Sequence, residues 1–219
     1  MKPYLVRTPG VVQRLYPKRV WSFPGSKKAV FLTFDDGPIP EVTPWVLDQL
    51  HTVGAKATFF CIGDNVRKHP DIFRRIIAEG HAIGNHTFHH LKGNKTSTSR
   101  YLENVRQAEE LMQAIKEGAP SEGRSTSLFR PPYGKLTAVQ SKRLREEGYT
   151  IVMWDVLSAD FDTSVSEKKC LKNVVGALQP GSILVFHDSI KAAKNMKYAL
   201  PEVLQYISEK GWKCEAMEG

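Results

Sequence analysis

Residues 29–38 read Ala29-Val30-Phe31-Leu32-Thr33-Phe34-Asp35-Asp36-Gly37-Pro38. The run carries no charge until two carboxylates arrive together. An apolar, β-rich run closed by Gly-Pro reads as a buried strand that delivers both acids to its C-terminal end, where the chain turns away. Adjacent acids are costly to bury and easy to aim at a ligand. An acidic turn after a strand has the same local look, so the reading depends on what the rest of the chain supplies as partners.

Outward from this run, similar stretches recur at Ala57–Ile62, His81–Asn85, Ser127–Arg130, Tyr149–Trp154, Ser182–His187 and Trp212–Met217. Helical patterns lie between most of them: Glu41–Val53, Pro70–Glu79, Arg100–Lys116, Thr137–Glu147, Ser166–Leu178 and Leu200–Lys210. Most end at or near a glycine, the residue that stops helices. Strand alternating with helix predicts βαβ units and a parallel sheet. About seven such units predict an α/β chain with barrel-like closure, complete or incomplete, and a flat doubly wound sheet is the alternative. Glu117–Ser127 reads as a surface loop.

Composition excludes several classes. A chain of 219 residues, 41% hydrophobic and 25% charged, has ample length for a core. No stretch approaches the roughly 18 apolar residues of a membrane helix. The start, Met1 to Arg7, has no apolar core of a secretory signal, so a cytoplasmic protein is expected. Cys61, Cys170 and Cys214 show no metal-type pairing and read as reduced thiols. The net charge of +8 comes from scattered lysines and arginines without interleaved aromatic clusters. That argues for a solvated basic surface, and for no nucleic-acid partner. No protein partner is implied.

Polar residues stand out where the strands end. Asp35 and Asp36 follow the first run, His86 the third, Arg130 the fourth, Asp155 the fifth and His187 the sixth. In a parallel barrel the active site collects at those ends. His86 and His90 are four apart, so on a helical turn they share a face and reach one ion. One of the two aspartates would complete a three-ligand set. In Arg130-Pro131-Pro132-Tyr133 the prolines stiffen a loop that presents the Tyr133 N–H to a bound oxygen, and Arg130 suits a buried carboxylate. His187 suits a general acid if Asp160 or Asp155 raises its pKa.

Together these motifs resemble the polysaccharide deacetylase family, the NodB homology domain of carbohydrate esterase family 4. The resemblance runs from about Ala29 to Met217 and rests on Thr33-Phe34-Asp35-Asp36-Gly37-Pro38, His86-Thr87-Phe88-His89-His90 and Arg130-Pro131-Pro132-Tyr133. It implies a distorted (β/α) barrel over 29–219, preceded by an N-terminal extension over 1–28, and removal of acetyl groups from N-acetylated sugars. It implies Asp35 as general base, and Asp36, His86 and His90 as ligands of a divalent metal. Zinc is expected, and cobalt or nickel would also fit. It implies His187 as general acid tuned by Asp160, Arg130 as brace of the catalytic carboxylate, and the Tyr133 N–H as oxyanion donor. Phe161 stands where the family usually has tryptophan, and Val185 where it usually has leucine.

The expected partner is a carbohydrate such as peptidoglycan or a chitin-like polymer. The rivals are an O-deacetylase of xylan-type esters, an amidohydrolase of a small non-sugar amide, and a catalytically dead carbohydrate-binding module.

Overall fold

The computed structural model describes residues 4–116 and 127–218. The predicted loop at Glu117–Ser127 therefore lies, apart from Ser127, outside the described residues. The first apolar run forms β1 (Ala29–Asp35), buried at every position. Alternation along it separates two environments. Val30, Leu32 and Phe34 pack outward into the main core with helix residues such as Leu50, Leu200 and Val203. Ala29 and Phe31 point into a smaller cluster inside the curled sheet, with Phe60, Leu128 and Ile183. Asp35, two pleats beyond Phe31, continues that inner face.

The other strands are β2 (Thr58–Cys61), β3 (Ala82–Asn85), β4 (Leu128–Phe129), β5 (Thr150–Ile151), β6 (Val156–Leu157), β7 (Ile183–His187) and β8 (Lys213–Cys214). The helices are α1 (Gly10–Leu15), α2 (Thr43–Thr52), α3 (Gly63–Lys68), α4 (Pro70–Ala78), α5 (Thr98–Lys116), α6 (Ala138–Glu146), α7 (Glu167–Val175) and α8 (Ala193–Glu209). All strand pairs are parallel, in the order β5-β4-β3-β2-β1-β7-β6, with β8 beside the start of β1.

That order decides between a barrel and a flat sheet. β5 and β6 lie at opposite edges, yet only residues 152–155 separate them in the chain. Such a connection reaches at most about 18 Å. Six interstrand spacings in a flat sheet would total about 29 Å. The sheet must curl, and the flat doubly wound alternative is excluded. The result is an open barrel of seven parallel strands.

The gap between β5 and β6 is crossed by the N-terminal segment. Val20 N–H donates to Ile151 O at 2.9 Å, Met153 N–H to Val20 O at 2.7 Å, and Leu157 N–H to Val6 O at 2.8 Å. Trp21 joins the cluster of Tyr101, Phe129 and Ile151.

Some element boundaries differ from expectation. β6 carries no pattern of its own and is held by β7 on one side and residues 6–8 on the other. The last helical pattern is expected over Leu200–Lys210, but α8 begins at Ala193 and runs through Pro201. An interior proline costs a helix about 3 kcal/mol. Burial of Met196, Leu200, Val203, Leu204 and Ile207 on one face outweighs that cost. Among the described residues, no helix is long and apolar enough to cross a membrane.

Candidate active site

At the end of β1, Asp35 is 3% exposed and Arg130, just past β4, is fully buried. The arginine crosses the barrel interior. Its Nη1 donates to Asp35 Oδ1 at 2.7 Å and to Thr33 Oγ1 at 2.6 Å, and its Nη2 donates to Met153 O at 2.8 Å. The guanidinium lies 4.1 Å from the centre of the Phe60 ring. Burial pulls the Arg130 pKa down, and the Asp35 carboxylate opposes that pull. A buried pair of this kind is held as a unit, because either charge alone would be stranded.

Asp36 has a different environment. Its backbone is left-handed, at φ 88°. Asn65 Nδ2 donates to its carbonyl at 2.7 Å. Its Oδ1 is buried without a hydrogen-bond partner and faces His90 Nε2 at 3.3 Å and His86 Nε2 at 3.8 Å. His86 Nδ1 lies 2.7 Å from the Arg130 carbonyl. A carbonyl only accepts, so Nδ1 carries the proton and the Nε2 lone pair points toward Asp36. Burial, reinforced by the nearby His90, holds His86 well below the ordinary imidazole pKa. Burial also lowers His90, against the pull of Asp36. Two neutral imidazoles and one orphaned carboxylate oxygen, mutually within 4.8 Å, could hold a metal ion.

The histidines do not reach this arrangement on a helical turn. Residues 86–90 form an irregular loop with Thr87 at φ 66° and His90 at φ 54°. The loop is pinned by side chains around it. Asn85 Oδ1 accepts from Thr87 N–H at 2.8 Å, and Asn104 Oδ1 accepts from the N–H groups of Phe88 and His89, each at 3.0 Å.

His187 ends β7 in register with Asp35 on the neighbouring strand. Its Nδ1 is 2.8 Å from Asp160 Oδ1, and its backbone N–H donates to Asp160 Oδ2 at 2.7 Å. Burial disfavours the imidazolium, but the Asp160 carboxylate outweighs it, with help from Asp36 and Asp35, and the pKa rises to about 9. Asp155, the other candidate partner, accepts instead from Ile183 N–H at 2.7 Å and Ser182 Oγ at 3.0 Å. Those residues lie at the start of β7, so Asp155 sits at the end of the sheet away from His187.

Asp35, Asp36, His86, His90, Tyr133 and His187 line one cavity of about 710 Å³, and Arg130 and Asp160 stand behind it. The Tyr133 ring, 58% exposed, lies 4.6 Å from that of His90. Phe161 packs edge-on against His187 at 5.0 Å, and Val185 forms part of the apolar wall.

Sequence reasoning missed two contributors. Asp188 is fully buried and accepts from Gly37 N–H at 2.9 Å and Thr43 Oγ1 at 2.6 Å, which anchors the turn after the aspartate pair. Its position beside His187 was the available signal. Tyr4 reaches the cavity from the N-terminal segment and donates to Asp162 Oδ2 at 2.5 Å. Nothing local in the sequence marks it.

A family model described as polysaccharide deacetylase matches residues 23–152. A peptidoglycan-N-acetylglucosamine deacetylase of Bacillus cereus is 39% identical over 169 residues, covering 77% of this chain and 59% of that protein. This chain thus spans about three fifths of that relative's length. A second Bacillus cereus protein of the same name is 31% identical over 195 residues, covering 88% of each. A crystal structure of a peptidoglycan N-acetylglucosamine deacetylase, in complex with 4-naphthalen-1-yl-N-oxidanyl-benzamide, superposes with a TM-score of 0.84 at 33% identity, covering 96% of this chain and 95% of that one. A family 4 carbohydrate esterase from Streptomyces lividans in complex with acetate gives 0.74 at 27% identity, covering 87% and 93%. With its matched motifs gathered on one cavity of an open barrel, the chain belongs to the polysaccharide deacetylase family.

Proposed function

We propose that this protein is a metal-dependent deacetylase that hydrolyses the N-acetyl groups of N-acetylglucosamine-containing glycans. The observation that carries the reading is the division of labour around one cavity. Asp35 is paired with Arg130, Asp36 is unpaired between two neutral imidazoles, and His187 is charged by Asp160. The names of the similar proteins, peptidoglycan deacetylases, support the glycan.

A divalent cation held by Asp36, His86 and His90 would polarise the acetyl carbonyl and acidify the attacking water. Asp35, held in place by Arg130, takes the proton from that water as it adds to the carbonyl carbon. The Tyr133 N–H donates to the developing oxyanion, a contact of a type whose loss costs about 10²–10³ in rate. His187 then gives its proton to the amide nitrogen as the C–N bond breaks, leaving acetate and a free amine. The in-register placement of Asp35 and His187 on adjacent strands brings base and acid to the same mouth.

The test is acetate release from chitooligosaccharides, peptidoglycan fragments and acetylxylan, using metal-stripped protein and protein reloaded with zinc, cobalt or nickel. Release from the N-acetylated glycans, lost on stripping and restored by metal, is expected. Release from acetylxylan alone would replace the reading with O-deacetylation, and silence on all three would point to a small amide.

A further inference from the structure

The net charge is concentrated in one segment. Residues 29–219 hold 24 lysines and arginines against 23 acids, which nearly cancel. Residues 1–28 hold the other seven cations and no aspartate or glutamate. The scattered cations thus leave almost all of the +8 excess on the N-terminal segment. Charge asymmetry of this kind marks a segment that meets an anionic surface.

The same segment exposes aliphatic side chains. Leu5 is 68% exposed, Val11 64% and Leu15 70%. Val11 and Leu15 stand four apart on α1, so they share one face, and Arg14 flanks it. The helix of a globular fold turns its apolar stripe toward the core. Here Val12 packs inward against the cluster of Trp21 and Tyr101, whereas Val11 and Leu15 stay outside. Arg14 and Lys18 are exposed, and among the described residues neither pairs with an acid.

We propose that this face docks on an anionic lipid bilayer. Leu5, Val11 and Leu15 enter the boundary between headgroups and acyl chains, and Arg14 and Lys18 meet lipid phosphates. Cations alone would suit any polyanion, but a soluble polyanion leaves the aliphatic side chains in water. A nucleic acid calls for aromatic stacking platforms rather than leucine and valine. The face borders the catalytic cavity. Tyr133 lines that cavity and also a groove of about 490 Å³ edged by Leu5, Val12 and Tyr16. A bilayer on this face therefore lies beside the cavity mouth. Docking of this kind adds to deacetylation and does not depend on it.

The test is sedimentation of the full chain with vesicles of phosphatidylcholine alone and of phosphatidylcholine with phosphatidylglycerol. Binding to the anionic vesicles alone, weakened by added salt, is expected. Arg14→Gln/Lys18→Gln should lower the partition coefficient about tenfold. Val11→Ser/Leu15→Ser should lower it by a similar factor, because the apolar contact is lost. Both variants should keep the wild-type Tm, since the replaced side chains are exposed. No binding to the anionic vesicles, or undiminished binding by either variant, would overturn the proposal. Preference for a DNA duplex over the vesicles at equal salt would give the face to nucleic acid instead. A dimer on size exclusion that Val11→Ser/Leu15→Ser abolishes would give it to a second copy. Either result overturns the lipid assignment.

Discussion

Asp35 accepts from Arg130 at 2.7 Å, whereas Oδ1 of its neighbour Asp36 has no donor and faces His90 at 3.3 Å. Pleating accounts for the contrast. Asp35 ends the inward-facing row of β1, and Asp36 is the first residue after it, turned by a left-handed backbone toward the loop that carries the histidines. The chain shows two adjacent acids and not which one Arg130 will reach. A pH dependence follows at this scale. His187 must be protonated to act as an acid. Its pKa of about 9 keeps it charged through neutral pH, and activity should fall as pH rises through the alkaline limb. A cation held at Asp36 would offset that residue's pull on His187 and set the limb lower. Asp160→Asn removes the carboxylate that outweighs burial, so the limb of kcat/KM should move to lower pH by at least about one unit. An unmoved limb would remove Asp160 from this role.

The elements at the barrel mouth share one property. Among the described residues, the non-glycine positions with positive φ are Asp36, Thr87, His90, Tyr133 and Ala159. Each lies in the segment that follows a parallel strand, within five residues of its end. A non-glycine residue there costs about 1–3 kcal/mol, and such strain concentrates at functional sites. Asp36→Gly removes both the strain and an unpartnered buried carboxylate oxygen. The metal-free variant should therefore unfold at or above the wild-type Tm while calorimetric zinc titration shows tight binding lost. A marked drop in Tm would mean that Asp36 supports the fold. The adjacent Gly37 has no such freedom, because a Cβ there would sit 1.9 Å from Asp188 Oδ2. The His-x-x-x-His spacing was legible, but its loop conformation was not. Asn85 holds left-handed Thr87 and Asn104 holds Phe88 and His89 ahead of left-handed His90, and spacing alone carries no trace of that.

For the whole molecule, the N-terminal segment takes the place of a strand at the open seam. Deleting residues 1–22 would free the backbone groups that Val6, Thr8 and Val20 now satisfy on β5, β6 and their connection, and would remove Trp21 from its cluster. Loss of a buried tryptophan alone costs about 3–5 kcal/mol, and open strand edges invite association. The truncated protein should melt well below the full chain and elute as aggregate on size exclusion. Retention of wild-type Tm and a monomeric profile would show that the seam is stable unaided.

The alternation of apolar runs and helical patterns determined a parallel α/β architecture, because periodicity over a few residues reports which faces are buried. Residue chemistry likewise determined the ingredients: paired acids, two histidines four apart, an arginine at a strand end and a late histidine. The tertiary structure decided the rest. It curled the sheet, chose Asp160 over Asp155, joined Arg130 to Asp35 across 95 positions and Asp188 to Gly37 across 151. It also brought residues 4–22 against the seam and the cavity. Contacts between such distant positions leave no local pattern. They depend on which strands become neighbours, and that was settled by the short link between β5 and β6, which forces the sheet to close on itself.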